Sequence, residues 1–171
     1  MLNRFPISFM AEVLRMSDDS TFNADVFLTQ ETVGANDTKF DPVPENEYIG
    51  LIEKLVVREL KFDDGRKQVV ADLTWKIQAN DDLKAQMNMD EIRVRQSLFL
   101  DREPNGALST GKNKNVSLGK LRDALGQNDP TRAWFLKMLE GAGPARIRTK
   151  NAPDKKNPDN IYSNVVAVAA L

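Results

Sequence analysis

Between Gln68 and Ile77 the chain alternates with a period of two. Val69, Ala71, Leu73, Trp75 and Ile77 fall on one side, and Gln68, Asp72, Thr74 and Lys76 fall on the other. That spacing suits a β-strand with one face in a core and one in water, and it is too regular for a helix. A strand of this kind needs partners, so the neighbouring sequence must supply a sheet.

Such partners can be read on both sides. A β-rich run opens at Tyr48-Ile49-Gly50-Leu51-Ile52 and continues through Leu60. Asp63-Asp64-Gly65-Arg66 offers a tight hairpin, in which Gly65 is free to take positive φ. After a polar stretch from Ala79 to Glu91, a third strand is expected over Ile92–Leu100. There Val94, Gln96, Leu98 and Leu100 share one side, and Arg93, Arg95, Ser97 and Phe99 share the other. Leu118, Leu121 and Leu125 recur at helical spacing, with Ser117 as the expected N-cap and Gly126 as the stop. A second short helix is expected from Asp129 and Pro130, burying Trp134, Phe135, Met138 and Leu139. Gly141-Ala142-Gly143-Pro144 breaks it, and strands follow over Ala145–Lys150 and Ile161–Ala169, joined by a loop.

The expected fold is therefore mainly β with a helical insertion. The order strand, strand, strand, helix or helix pair, strand, strand is that of a five-stranded oligonucleotide-binding (OB) barrel. Residues 47–171 form this domain. Residues 1–46 read as an acidic, extended leader ending in Pro42-Val43-Pro44, since prolines favour extended backbone and charges oppose burial. Phe5, Ile7 and Phe9 suggest an extra strand over residues 4–15, although Met16 followed by Ser17-Asp18-Asp19 also reads as an alternative start.

The charge is segregated. The 171 residues carry a formal net charge of -1, yet residues 92–150 hold 12 Lys/Arg against 5 Asp/Glu, while residues 1–91 hold 10 against 18. Clustered cations point to a polyanionic partner, because they create an attractive field that the net charge conceals. Barrels of this type bind along strands two and three and the loops between strands one and two and between four and five. Those elements contain Lys61, Arg66, Lys76, Arg93, Arg95, Phe99, Lys155 and Lys156. Arg93, Arg95 and Phe99 fall on one strand face, where the cations would meet phosphates and the ring would stack on a base. The basic loop Gly111–Lys120 adds Lys112, Lys114 and Lys120 beside a helix start, and the fourth strand adds Arg146 and Arg148.

Composition removes many chemistries. The chain has neither histidine nor cysteine, which excludes thiolate nucleophiles, disulfides, Cys/His zinc sites and imidazole catalysis. Gly106-Ala107-Leu108-Ser109-Thr110-Gly111-Lys112-Asn113 has nucleotide-loop spacing. However, Asn113 stands where a hydroxyl should meet magnesium, and no parallel βαβ pattern surrounds it. Glu59-Leu60-Lys61 has a nuclease-like spacing, but Asp41 belongs to the leader and has no reason to meet Glu59. No enzyme, cofactor or metal is expected. No apolar run approaches the roughly 20 residues of a membrane helix, and the first fifteen residues make a poor secretory signal.

Five stretches, in order, are similar to the bacteriophage single-stranded DNA-binding proteins of OB type. They are VPENEYIGLIEK, ADLTWKI, VRQSLFLD, GKNKNVSLGKLRDALGQN, and MLEGAGPARIRTK leading into IYSNVVAVAAL, together spanning residues 43–171. The resemblance implies sequence-tolerant coating of single-stranded DNA in phage replication or recombination, inside the host bacterial cytoplasm. It favours Arg93, Arg95, Phe99, Lys112, Lys114 and Lys120 as contacts. It also implies phage or host replication proteins as partners, and leaves a homo-oligomer open. Many proteins with this role end in an acidic recruiting tail. This chain ends Val168-Ala169-Ala170-Leu171, so the acidic leader is the expected substitute. The alternative is a protein-interaction or phage-assembly module whose cationic segment docks on an acidic partner.

Overall fold

The computed structural model describes residues 22–39 and 41–171; the expected strand over residues 4–15 lies outside them. The chain divides into two units between Thr38 and Lys39. In the first, a single helical turn, α1 (Ala24–Leu28), interrupts the expected extended leader. The Asn23 side chain accepts hydrogen bonds from the amides of Asp25 and Val26, and the Thr29 hydroxyl donates to the Asp25 carbonyl.

The second unit contains β1 (Glu47–Lys61), β2 (Lys67–Ile77), α2 (Asp81–Met87), β3 (Ile92–Leu100), α3 (Val116–Ala124), a 3-10 turn (Leu136–Leu139), β4 (Ala145–Pro153) and β5 (Ile161–Ala169). The five strands hydrogen-bond in a closed ring in the order β1-β2-β3-β5-β4. All neighbours are antiparallel except β3 and β5, which meet in parallel at Arg95 and Asn164.

The core follows the alternation. Ile52, Leu73, Trp75, Ile92, Val94, Leu98, Ile147 and Val165 point inward and are buried, and Leu118, Leu121 and Leu139 join them from outside the strands. Gln96 lies among the inward residues because its carbonyl accepts the indole N–H of Trp75 at 2.9 Å. An unpaired buried N–H would cost about 1–3 kcal/mol, so this amide on an apolar face is a structural partner for the tryptophan.

Several expectations change. The leader's last residues, expected outside the domain, are built into the second unit. Val43 is buried, and the Pro44 carbonyl accepts from both the Tyr48 and the Thr149 hydroxyls. The stretch 79–91 contains a helix, α2, capped by the Asn80 side chain on the Leu83 amide. α3 starts at Val116, so Ser117 is not its cap. Asn115 precedes the helix at φ 49°, and its side chain ties the end of β3 to the loop by bonding Asp101 and the Ser109 carbonyl. Gly126, at φ 66°, follows α3 as expected. No helix follows Asp129: its carboxylate accepts from the Thr131 amide and hydroxyl, closing a local turn. Only a 3-10 turn forms beyond it. Leu139 is fully buried there and Trp134 partly, whereas Phe135 is 68% exposed and Met138 is also exposed.

Among the described residues no helix is long and apolar enough to cross a membrane.

Candidate nucleic-acid interface

The outward face of the ring is set by register. β1 bulges between Ile52 and Lys54, so that Ile52 stands opposite Trp75 and Lys54 opposite Thr74. A bulge moves the following side chains to the other face, and here it places Lys54 beside the wet side of β2. Thr74 is also opposite Arg95, Arg95 pairs with Asn164, and Asn164 pairs with Lys150. Lys54, Thr74, Arg95, Asn164 and Lys150 thus form one row around all five strands. Neighbouring strands are about 4.8 Å apart, so Lys54 and Arg95 stand roughly 10 Å from one another along it. None of its three cations has a carboxylate partner among the described residues.

On either side of this row the charges are already neutralised. Toward the start of β3, Arg93 binds Glu53 at 2.5 and 2.9 Å and Glu91 at 2.5 Å, while Lys76 pairs with Glu91. Hydrogen bonds from Arg93 hold the Glu53 carboxyl below the usual range, and those from Lys76 and Arg93 do the same for Glu91. Toward the end of β3, Asp72 pairs with Arg58 and accepts from the Ser97 hydroxyl at 2.6 Å. Partial burial pushes the Asp72 carboxyl up, but hydrogen bonds from Arg58 and Ser97, with the nearby charges of Arg58 and Arg95, outweigh it and leave it lowered. The next row outward is Arg58, Val70 and Phe99. Phe99 is 60% exposed and sits four residues, about 13 Å, along the strand from Arg95 on the same face. A core role for this ring is therefore excluded by its exposure.

The other expected residues lie on different parts of the unit. Lys61 and Arg66 flank the β1–β2 hairpin, where Arg66 pairs with Asp64 at 2.6 Å and covers the Phe62 ring at 5.4 Å. Lys112 and Lys114 belong to the loop before α3, with Lys114 Nζ 3.7 Å from Asp101, and Lys120 is on α3. Arg146 and Arg148 point outward from β4 opposite Ile49 and Glu47. Lys155 and Lys156 lie in the β4–β5 loop, which Asp154 closes by accepting from the amides of Lys156 and Asn157. Of the thirteen residues expected at the site, four therefore carry an internal carboxylate partner: Arg66, Lys76, Arg93 and Lys114.

Lys54 and Lys150 were not among the expected site residues. The alternation of Arg146, Arg148 and Lys150 carried a signal for the latter, but the bulge that exposes Lys54 has no marker in the sequence. Trp75 is fully buried, and Trp134 is stacked under Arg122 at 4.3 Å, so neither offers a free stacking surface. No group of three or more carboxylates that could hold a metal ion occurs among the described residues.

No protein-family model matches the chain, and no curated protein matches it.

Proposed function

We propose that the chain is a non-enzymatic, sequence-tolerant single-stranded DNA-binding protein of the five-stranded OB-barrel type. The ring order, with β1 shared between β2 and β4 and the main helix between β3 and β4, supports that fold reading. The observation that carries the functional reading is the unpaired cationic row Lys54, Arg95 and Lys150, with exposed Phe99 on the same face as Arg95. Cations with no internal partner are available to replace counterions on phosphates, and an exposed ring can stack on any base, so neither contact requires a particular sequence. The basic loop before α3 extends the phosphate-binding surface. Phage replication or recombination in a host bacterial cytoplasm, with replication proteins as further partners, is the setting that the sequence resemblance adds.

The test is a comparison of labelled oligo-dT with a duplex of equal length over a range of salt. The reading expects preference for the single strand and an affinity that falls steeply with salt. Absence of binding to either, together with capture of an acidic protein partner, would support the assembly-module alternative instead.

A further inference from the structure

We infer that a bound single strand turns at Lys150 and continues along β4, where Arg148 and Arg146 hold its next two phosphates. The inference rests on the single-strand reading of the row and adds the path that the strand takes beyond it. Lys150 closes the row through Asn164, and it also begins a stripe along its own strand. Ala145, Ile147 and Thr149 point inward and are buried, so Arg146, Arg148 and Lys150 all project outward from one side of β4. The row runs across the strands, the stripe runs along one of them, and the two share a single lysine.

Spacing and surroundings suit the stripe to phosphates. Alternate residues of a strand lie about 6.6 Å apart, close to the phosphate repeat of an extended polynucleotide, so successive cations can meet successive phosphates. None of the three has a carboxylate partner among the described residues. Arg146 stands between Ile49 of β1 and Ala169 of β5, and Arg148 between Glu47 and Ala167. Glu47 is thus the acidic neighbour of Arg148 in the ladder, yet the two make no ion pair. Glu45, farther along, accepts from the Asn151 amide at 2.9 Å. On the β5 side the alanines are too short to cover the guanidinium groups, whose planar forks match phosphate oxygens two at a time.

Two directions are open at Lys150, and charge selects between them. Toward the β4–β5 loop the next outward residue is Ala152, opposite Tyr162, and Lys155 and Lys156 share the loop with Asp154 and Asp159. Toward the start of β4 come two arginines in succession. An attractive potential for a polyanion builds only in the second direction. An extended acidic polypeptide also presents carboxylates at strand spacing, but continuity with the row at Lys150 selects the polynucleotide.

The test compares the wild type with Arg146→Ala, Arg148→Ala on an oligo-dT series from about 4 to about 16 nucleotides, by fluorescence anisotropy. On the shortest oligonucleotides that bind measurably the row alone is filled, and the two proteins should bind alike. On the longest the variant should lose two phosphate contacts, at about 0.7 each in the salt slope. Between about 50 and 200 mM salt the wild type should then lose about sevenfold more affinity than the variant. Arg146→Gln, Arg148→Gln keeps the aliphatic stems and serves if the alanine variant fails to fold by circular dichroism. No wild-type binding at any length would remove the single-strand reading and this path together. Wild-type binding that the double variant reproduces at every length would overturn the path alone, and a simultaneous loss of binding to poly-glutamate would assign the stripe to an acidic polypeptide. An equal loss on the shortest and the longest oligonucleotides would also overturn it, because the two arginines would then belong to the first contact.

Discussion

Lys54 of β1 and Arg95 of β3 flank Thr74 of β2 in a single cross-strand row, although 41 positions separate them in sequence. The bulge after Ile52 creates this relationship, because without it Lys54 would turn toward the core. A β-bulge and a parallel β3–β5 contact therefore assemble the surface on which the functional reading depends.

The ion pairs beside that row lead to a counterintuitive expectation. Glu53 and Glu91 neutralise Arg93 and Lys76, so Glu53→Gln with Glu91→Gln should release two cations onto the same face. Tighter single-strand binding at low salt, with a steeper salt dependence, is expected from fluorescence anisotropy. Weaker binding would mean that the carboxylates position the face for its ligand.

The same carboxylates give a pH dependence of defined sign. Glu53 and Glu91 ionise more readily in the folded chain than at their ordinary value of 4.5, because Arg93 and Lys76 hydrogen-bond their charged forms. Their stabilisation is thus present above about pH 4.5 and is lost as pH falls through the lower folded-state values. Thermal denaturation from neutral pH downward should show the midpoint declining in that window. The Glu53→Gln, Glu91→Gln variant should show a smaller decline there.

Phe99→Ala should weaken single-strand binding by about 1–3 kcal/mol, while Phe99→Tyr should retain most of the affinity. The ring is mostly exposed, so the thermal midpoint should change little. A large loss of stability with unaltered binding would assign the ring to packing.

Gln96→Leu should have the opposite profile. It strands the buried Trp75 indole N–H and should lower folding stability by about 1–3 kcal/mol, measured by urea denaturation. DNA binding by the folded fraction should be preserved, since Gln96 faces inward.

How legible these features were in the sequence depended on burial. β3 matches its expected ends because its inward residues alternate against the core, and β5 matches its own although Val165 is its one buried residue and the ladder shifts register opposite Val166. α2 escaped notice because Leu83 is its one buried residue, although Asn80 followed by two aspartates marks an N-terminus. Asp129-Pro130 has the pattern of a helix start, but the aspartate is captured by the Thr131 amide and hydroxyl two residues on. Arg93 and Arg95 look equivalent in sequence. They differ in the fold because Glu53, brought from 40 residues away by the β1 bulge, claims only the former.

The most direct test compares the salt dependence of oligo-dT binding in the wild type with that of Lys54→Ala, Arg95→Ala, Lys150→Ala. Each lost phosphate contact should reduce the slope of log affinity against log salt by about 0.7, so the triple variant should fall by roughly 2 for every oligonucleotide sequence alike. A triple variant with the wild-type slope and affinity would contradict a nucleic-acid interface on this row.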